Sequence, residues 1–297
     1  MAAPAQVDEW TGEDVSIAQV ERQLAHLRQA SAAEGDAPDL RMSTMTHIAW
    51  VPESWYEPAM STLRGMGERH PSRTIVLVPE QDAAESRIDA ELVLECFPLE
   101  QMRRHVCAEV VVLRLKGSRA QAPASIVQPL LISDLPVFCR WRGEPPFGTP
   151  PLEQLVDLVD RLVVNSSEWD GLPFPYGKLA KVFDRTAVSD IAWSRSLGWR
   201  RSLAELWPEI AQARTLRVEG PLADALLLHA WLKAKLDNDL ALDHVEREEL
   251  DLVAVDGEEL APPRSEPQTP SDLLSNELDH YARDPVYEQA VRTAAEG

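Results

Sequence analysis

Apolar residues are distributed along the chain in short continuous runs and in stripes with helical spacing. The runs at 74–78 and 106–115 are apolar at most positions, which is typical of strands that are buried on both faces of a sheet. Residues 53–69, between an apolar run at 45–51 and the run at 74–78, contain a helical pattern. This order predicts an α/β domain with a buried mixed or parallel sheet and helices on its faces. The strands predicted in this domain are 45–51, 74–78, 92–94, 106–115, 134–141 and 161–165.

The N-terminal part of the chain has a different pattern. Val15, Val20, Leu24 and Leu27 recur at roughly helical spacing, which predicts one amphipathic helix. A polar segment at 31–39 follows and is typical of a loop. We therefore expect the first forty residues to form a helical arm that packs on the α/β domain.

The C-terminal part predicts a second, smaller α/β domain. The composition changes at 171–177, a segment rich in Gly and Pro, and we place the domain boundary there. Residues 214–218 predict a strand, and 221–236 predict a largely buried helix with Pro at its first position. The predicted organisation is an arm at 1–40, an α/β domain at 41–170 and an α/β domain at 171–297, which includes a Pro-rich linker at 261–270 and one or two terminal helices at 271–292.

The charge of the chain limits the class of its partners. The formal net charge is −20 at pH 7. Residues 237–297 contain four Arg and no Lys against seventeen Asp and Glu, so four minus seventeen, or −13, of that charge lies at the C-terminal end. Nucleic acid is an unsuitable partner because the binding of phosphates needs a basic face. An acidic protein is instead suited to meeting a basic protein partner.

Membrane insertion and secretion are not indicated by the sequence. No apolar stretch reaches the roughly eighteen residues that a membrane-spanning helix needs. The N-terminal residues lack the basic region and the apolar region of a secretory signal. We therefore expect a cytoplasmic protein.

Three cysteines are present, Cys96, Cys107 and Cys139. They are too few and too irregularly spaced for a disulfide framework or a zinc site. We expect buried thiols, because free Cys commonly behaves as a small core residue. The alternative is a redox pair of Cys96 and Cys107, which requires that two neighbouring strands bring them together.

A candidate recognition surface follows the predicted strand 134–141. Arg140, Trp141 and Arg142 end this strand before a Gly-Glu-Pro-Pro turn. Arg and Trp combine charge with a large rigid contact area, and both are enriched in binding hot spots. We therefore predict a partner-binding surface here. The alternative is that Trp141 fills a domain seam while the two arginines are solvated.

A second group of Trp and Arg residues lies at 190–207. Trp193, Trp199 and Arg200 are the members that we predict to bind a partner, and Arg195 is a candidate contact for an anion. The spacing of the apolar residues is helical and predicts that the arginines point away from the core. The alternative is a core helix with a solvated arginine face.

Ser166 and Ser167 follow the predicted strand 161–165. In α/β sheets ligands bind at the carboxyl ends of strands, so these hydroxyls are candidate ligand or anion contacts. The alternative, which the frequency of Ser at caps favours, is that Ser167 caps the following turn.

The chain lacks the recognised catalytic motifs. It contains no GxGxxG after a strand, no GxxxxGK[ST], no HExxH, no GxSxG and no CxxC. The spacing of acidic residues at 237–248 resembles a calcium loop, but Leu242 stands where the sharp turn requires Gly. We therefore predict no catalytic residues, no metal site and no cofactor.

Five ordered segments resemble the OpcA family. They are SDLPVFCRWRGEPPF, LVDLVDRLVVNSSEW, DIAWSRSLGWRRSLAELW, ADALLLHAWLKAKL and SNELDHYARDPVYEQAV. The segment HPSRTIVLVP also resembles the first domain of the family, so the resemblance runs from about residue 41 to the C-terminal end. Family members often carry an aromatic residue where this chain has Arg140, and the N-terminal arm shows no such resemblance.

The resemblance implies a non-catalytic assembly protein or allosteric activator that binds glucose-6-phosphate dehydrogenase. In this interpretation the Arg and Trp residues form or brace the contact surface, and the protein favours the substrate-competent, oligomeric state of the enzyme. Two alternatives stay open. One is a sugar-phosphate- or nucleotide-binding α/β enzyme or regulatory domain that uses Ser166, Ser167 and the arginines, and the other is a structural scaffold for enzyme oligomers.

Overall fold

The structure is a computed structural model that describes residues 6–34, 43–64, 66, 69–99, 104–263 and 268–296. Its strands are β1 Gln6–Gly12, β2 Thr46–Trp50, β3 Arg73–Glu80, β4 Ile88–Leu99, β5 Arg104–Lys116, β6 Val137–Trp141, β7 Arg161–Val164, β8 Ala187–Asp190, β9 Thr215–Gly220, β10 Ala241–Glu246, β11 Leu252–Val255 and β12 Glu258–Glu259. Its α-helices are α1 Ile17–Glu34, α2 Tyr56–Arg64, α3 Pro123–Val127, α4 Pro150–Leu158, α5 Phe174–Leu179, α6 Ile191–Arg195, α7 Leu197–Glu205, α8 Leu222–Leu236, α9 Pro270–Leu278 and α10 Pro285–Glu296.

The larger of two sheets confirms the predicted α/β class with a mixed sheet. Its eight strands follow the order β1-β4-β5-β3-β2-β6-β7-β8. Strand β3 is parallel to both β2 and β5, and β2 is also parallel to β6. Strand β4 is antiparallel to β1 and to β5. Helix α2 connects β2 to β3, as expected for a crossover between parallel neighbours.

The chain forms two compact units, which are described separately. The first comprises Met1–Leu162 and Pro270–Leu278, and the second comprises Val163–Thr269 and Asp279–Gly297. The division therefore falls within β7, whereas the composition change had placed the boundary at residue 171. Residues 264–267 of the expected Pro-rich linker lie outside the described residues.

Both faces of the large sheet are buried at β3 in the first unit. Residues of β3 alternate between the two faces, and the five from Thr74 to Val78 are all buried. Val76 and Val78 pack in one core cluster with Ala59 of α2. Ile75 and Leu77 have no exposed surface and point to the opposite face. The continuous apolar runs in the sequence follow from this burial on two faces.

The N-terminal arm is not helical throughout, which corrects the prediction for residues 1–40. Helix α1 is present, but β1 precedes it and pairs antiparallel with β4 at the edge of the sheet. An edge strand pairs on one side, and the side chain of Val7 is 45% exposed. Val7 and Trp10 are the large apolar residues of β1 and two acidic residues separate them, so no apolar run marks this strand.

Cys96 and Cys107 form a disulfide, which corrects the expectation of three buried thiols. The two residues lie directly opposite each other on β4 and β5. Their sulfur atoms are bonded, and their Cα atoms are 4.0 Å apart. The alternative interpretation, that neighbouring strands bring this pair together, is therefore confirmed. Cys139 is a free and buried thiol as predicted.

The second unit contains a four-stranded sheet with the order β10-β9-β11-β12. Strand β9 is parallel to β10 and antiparallel to β11. Leu228 and Leu232 of α8 pack with Leu216 and Val218 of β9 in one core cluster. This arrangement confirms the predicted helix at 221–236. Residues 241–246, within the segment that resembles a calcium loop, form β10.

Two further properties concern only the part of the chain that the structure describes. No helix there is both long and apolar enough to cross a membrane. No group of three or more His, Cys, Asp and Glu side chains is placed to hold a metal ion there.

Candidate functional site

The first predicted recognition surface, at Arg140, Trp141 and Arg142, is largely buried. Trp141 is 1% exposed and Arg140 is 2% exposed, so the expectation that they face solvent is wrong. Strand β6 is an inner strand of the sheet, and all five of its residues are buried. The ring of Trp141 stacks on that of Trp50, its register partner in β2, with centroids 4.8 Å apart. Trp141 is thus a core residue that can brace a surface but does not form one.

Arg140 is held within the same layer. Its guanidinium Nη1 donates a hydrogen bond to the carbonyl of Trp141. Burial, together with the charges of Arg140 and His70, lowers the pKa of His47 to about 3. His47 is therefore neutral in the folded protein at physiological pH.

Arg142 is partly exposed and lies one residue beyond the end of β6. Its backbone N–H donates to the carbonyl of Trp50 over 3.0 Å, which fixes the chain as it leaves the sheet. Its guanidinium lies 4.6 Å from the centroid of the Trp55 ring, in a cation–π contact. Of the three predicted residues, Arg142 is therefore the one whose side chain reaches the surface.

The second predicted surface belongs to α6 and α7 of the second unit. Trp193 and Trp199 are 4% and 5% exposed, so these indoles can brace a surface but do not form one. The indole N–H of Trp193 donates to Oδ2 of Asp284 over 2.8 Å. Trp199 packs in the core cluster with Leu203. Both tryptophans fix α6 and α7 on the unit and leave other side chains of α7 to contact solvent.

Arg200 stacks on this buried layer. Its guanidinium lies 3.4 Å from the centroid of the Trp193 ring, and its Nη2 donates to the Trp193 carbonyl over 3.0 Å. Burial lowers the pKa of Arg200 to about 10, which still leaves it charged at neutral pH. Arg200 is therefore only partly accessible and braces the position of Trp193.

The exposed residues of this segment are different from those predicted. Trp207 is 65% exposed, Leu197 is 42% exposed and Leu206 is 38% exposed. Arg201, between them on α7, is also exposed. We call these four residues the Trp207 surface. The sequence signal that could have revealed the Trp207 surface is Pro208. A helix usually ends before a proline, so Trp207 lies beyond the helix and need not belong to its buried face.

Ser167 and Arg195, both predicted anion contacts, meet in the second unit at Asp224. Arg195 Nε donates to Asp224 Oδ1 over 2.9 Å, and Arg195 Nη2 donates to the Ser167 hydroxyl over 2.8 Å. The Ser167 hydroxyl in turn donates to Asp224 Oδ2 over 3.1 Å. Asp224, which sequence reasoning missed, has no exposed surface. The Asp224 carboxylate accepts the Arg195 N–H groups to which an external anion would bind.

The charge balance of this group is even. Burial acts to lower the pKa of Arg195, but the Asp224 carboxylate outweighs burial and raises the pKa. One guanidinium and one carboxylate therefore form a neutral pair. Ser167 hydrogen-bonds this pair and does not cap the following turn, where the side chain of Asn165 accepts the N–H of Ser167.

Ser166 belongs to an adjoining group around Asp190. Its backbone N–H donates to Asp190 Oδ1 over 3.0 Å, and its hydroxyl accepts from Tyr176 over 3.1 Å. The N–H of Ala192 also donates to Asp190 Oδ1, over 2.9 Å. Tyr287 donates to Asp190 Oδ2 over 3.3 Å. Burial raises the pKa of Asp190, although these donors oppose the shift. Ser166 is fully used in this internal network.

Two comparisons with known proteins bear on these residues. Residues 65–181 match the family model described as the glucose-6-phosphate dehydrogenase subunit N-terminal domain, OpcA_G6PD_assem. Arg140, Trp141, Arg142, Ser166 and Ser167 lie inside this region, whereas the residues of α6 and α7 lie outside it.

A curated protein of Synechocystis sp. with the name OpcA, an OxPP cycle protein, is 24% identical to this chain over 179 residues. The aligned part covers 56% of this chain and 37% of the relative. The chain thus spans well under half the length of that relative. The two comparisons confirm the predicted resemblance to the OpcA family, and the part of the chain that matches the family model is residues 65–181.

Proposed function

We propose that the chain is a non-catalytic assembly factor and allosteric activator that binds glucose-6-phosphate dehydrogenase in the cytoplasm. In this role it favours the substrate-competent, oligomeric state of the enzyme that starts the oxidative pentose phosphate pathway. The observation that carries the proposal is the match of residues 65–181 to a family model named for this enzyme. The OxPP cycle name of the Synechocystis relative supports the same pathway.

The Trp207 surface is the contact that we propose for the second unit. Trp and Arg supply most hot-spot energy at protein interfaces, and Trp207 with Arg201 presents both groups to solvent. Two exposed leucines, Leu197 and Leu206, add apolar area around them. The predicted residues Trp193, Trp199 and Arg200 support this surface indirectly, because they hold α7 on the core.

In the first unit we propose a separate contact at Arg142. Its guanidinium covers the ring of Trp55, which is also partly exposed. A planar cation on an aromatic ring is pre-organised and loses little entropy when a partner packs against it. Arg140 and Trp141 support this contact from the buried layer of the sheet.

An activator of this kind needs differential affinity and no reactive group. A tenfold decrease in the apparent substrate constant requires that the contacts favour the competent state by about 1.4 kcal/mol. A single hot-spot residue typically contributes about 2 kcal/mol or more. Trp207 alone could therefore supply the energy for such a shift.

The alternative function is a sugar-phosphate- or nucleotide-binding α/β enzyme or regulatory domain at Ser166, Ser167 and Arg195. The geometry favours this alternative less. Asp224 neutralises Arg195, and the hydroxyls of both serines are engaged in internal hydrogen bonds. A phosphate would have to displace a buried carboxylate to reach the guanidinium.

Binding of the purified chain to the dehydrogenase of the same organism tests the proposal. We expect co-elution of the two proteins and a measurable dissociation constant by surface plasmon resonance. Trp207→Ala should weaken binding by about thirtyfold, which corresponds to about 2 kcal/mol. Phe174→Ala is a matched control because Phe174, 71% exposed in the same unit, is an equally accessible aromatic residue outside the Trp207 surface. No binding at all would refute the proposed function, and equal losses in both variants would refute the assignment of the surface.

A further inference from the structure

The first unit contains a cavity of about 260 Å³ that the proposed function does not use. Three elements place charged side chains on its wall, with Arg28 from α1, Arg73 from the start of β3 and Glu109 from β5. The other lining residues are Ser43, Leu94, Cys107, Ile132 and Leu135.

The three charged residues form one hydrogen-bonded group. Glu109 accepts from Arg28 Nε over 2.5 Å and from Arg28 Nη2 over 2.7 Å. It also accepts from Arg73 Nε over 2.8 Å. Burial acts to raise the pKa of Glu109, but the hydrogen bonds and charges of the two arginines outweigh burial and lower the pKa. The carboxylate is therefore ionised at neutral pH.

The charges on the cavity wall do not balance. Among the described lining residues, two guanidiniums, which stay protonated in proteins, face one carboxylate, so these residues carry a net charge of +1. The remaining lining residues are neutral. The side chains of Arg28 and Arg73 are 19% and 12% exposed, so water screens this charge only in part. Arg195 of the second unit, in contrast, is paired with one carboxylate, that of Asp224.

Hydrogen-bond donors also remain at this wall. Arg28 uses Nε and Nη2 on Glu109, and Arg73 uses Nε on Glu109 and Nη1 on the Leu130 carbonyl. Among the described residues, Arg28 Nη1 and Arg73 Nη2 make no hydrogen bond. Arginine forks bind phosphate and carboxylate groups with such pairs of N–H donors.

We propose that this cavity is a binding site for a compact anion that carries a phosphate or carboxylate group. The anion supplies the missing negative charge and accepts from the free edges of the two guanidiniums. The Ser43 hydroxyl adds a neutral donor at the same wall. Glu109 holds both arginines in place and also competes with the anion, which gives the site a distinctive response to substitution.

Isothermal titration calorimetry of the full chain with inorganic phosphate tests the proposal, with chloride at the same ionic strength as the reference. Acetate in a parallel titration shows which of the two anionic groups the site prefers. We expect Arg28→Gln and Arg73→Gln to weaken anion binding at least tenfold. Arg114→Gln is the matched control, because this arginine pairs with Glu53 and Glu80 away from the cavity and should leave the affinity unchanged.

Glu109→Gln distinguishes an anion site from a purely structural ion pair. Removing a carboxylate close to the bound anion should raise the affinity on the order of tenfold or more, because like charges no longer repel. Arg28 lies at the periphery of the group, so Arg28→Gln preserves the test if Arg73→Gln fails to fold. The proposal is overturned if neither anion binds to the wild type or to Glu109→Gln, or if binding ignores both arginine substitutions. The isolated chain suffices, so this result is independent of binding to the dehydrogenase.

Discussion

Acidification should destabilise the protein through His47. This residue of β2 is 1% exposed, and its Nε2 makes no hydrogen bond among the described residues. Burial, together with the charges of Arg140 and His70, lowers its pKa from 6.5 to about 3. The imidazole therefore stays neutral in the folded chain over a pH range in which it is protonated in the unfolded chain.

The size of the effect follows from proton linkage. Between pH 6.5 and about 3 the unfolded state binds one more proton at His47 than the folded state does, so stability falls as the pH falls. Each unit of pKa shift corresponds to about 1.4 kcal/mol. The shift from 6.5 to about 3 is thus equivalent to about 5 kcal/mol over the whole window. This amount is a large part of the total stability of an ordinary domain.

Urea unfolding at a series of pH values measures this effect. We expect the free energy of unfolding of His47→Gln to decrease less on acidification than that of the wild type, by up to about 5 kcal/mol. Carboxylates titrate in the same window in both proteins, so the difference between the two profiles isolates His47. His26→Gln is the control, because His26 is an exposed histidine on α1 of the same unit. Parallel profiles for the wild type and His47→Gln would refute the reasoning.

Two other substitutions test the packing described above. Replacing both Cys96 and Cys107 with Ala removes a link between residues eleven positions apart and should lower the free energy of unfolding by roughly 3 kcal/mol, measured by urea titration without reductant. Equal midpoints for the variant and the oxidised wild type would contradict this. Asp224→Asn leaves the charge of Arg195 uncompensated and should cost roughly 3–5 kcal/mol. Combining it with Arg195→Gln should cost less than the sum of the single changes, and strict additivity would argue against the pair.

Strands β2, β3, β5, β6 and β7 of the large sheet could be predicted because most of their described residues are buried. An apolar run of this kind is a local pattern, and it can be recognised without knowing which strands lie beside it. Strand β1 could not be predicted, because an edge strand with one exposed face needs few apolar residues. Its partner β4 lies about eighty residues further along the chain, and pairing at that distance leaves no local pattern.

The sequence indicated which Arg and Trp segments belong to the candidate site, but not which of their side chains are exposed to solvent. Arg140 and Trp141 have residue types that are common at interfaces, yet Trp141 is buried because Trp50 lies opposite it. That register depends on the pairing of β2 with β6 and cannot be read from either segment alone. The same limit applies to Asp224, which neutralises Arg195 from another helix. Local spacing placed Ser167 and Arg195 among the candidates, whereas the charge balance became visible only in the fold.

We propose that this chain acts by binding glucose-6-phosphate dehydrogenase and favouring its competent state. The most direct test follows NADPH formation by the enzyme against glucose 6-phosphate concentration, with and without the purified chain. We predict that the chain shifts the curve to lower substrate concentration, that Trp207→Ala reduces the shift and that Phe174→Ala does not. An unchanged curve in the presence of excess chain would contradict the claim, as would turnover of glucose 6-phosphate by the chain alone.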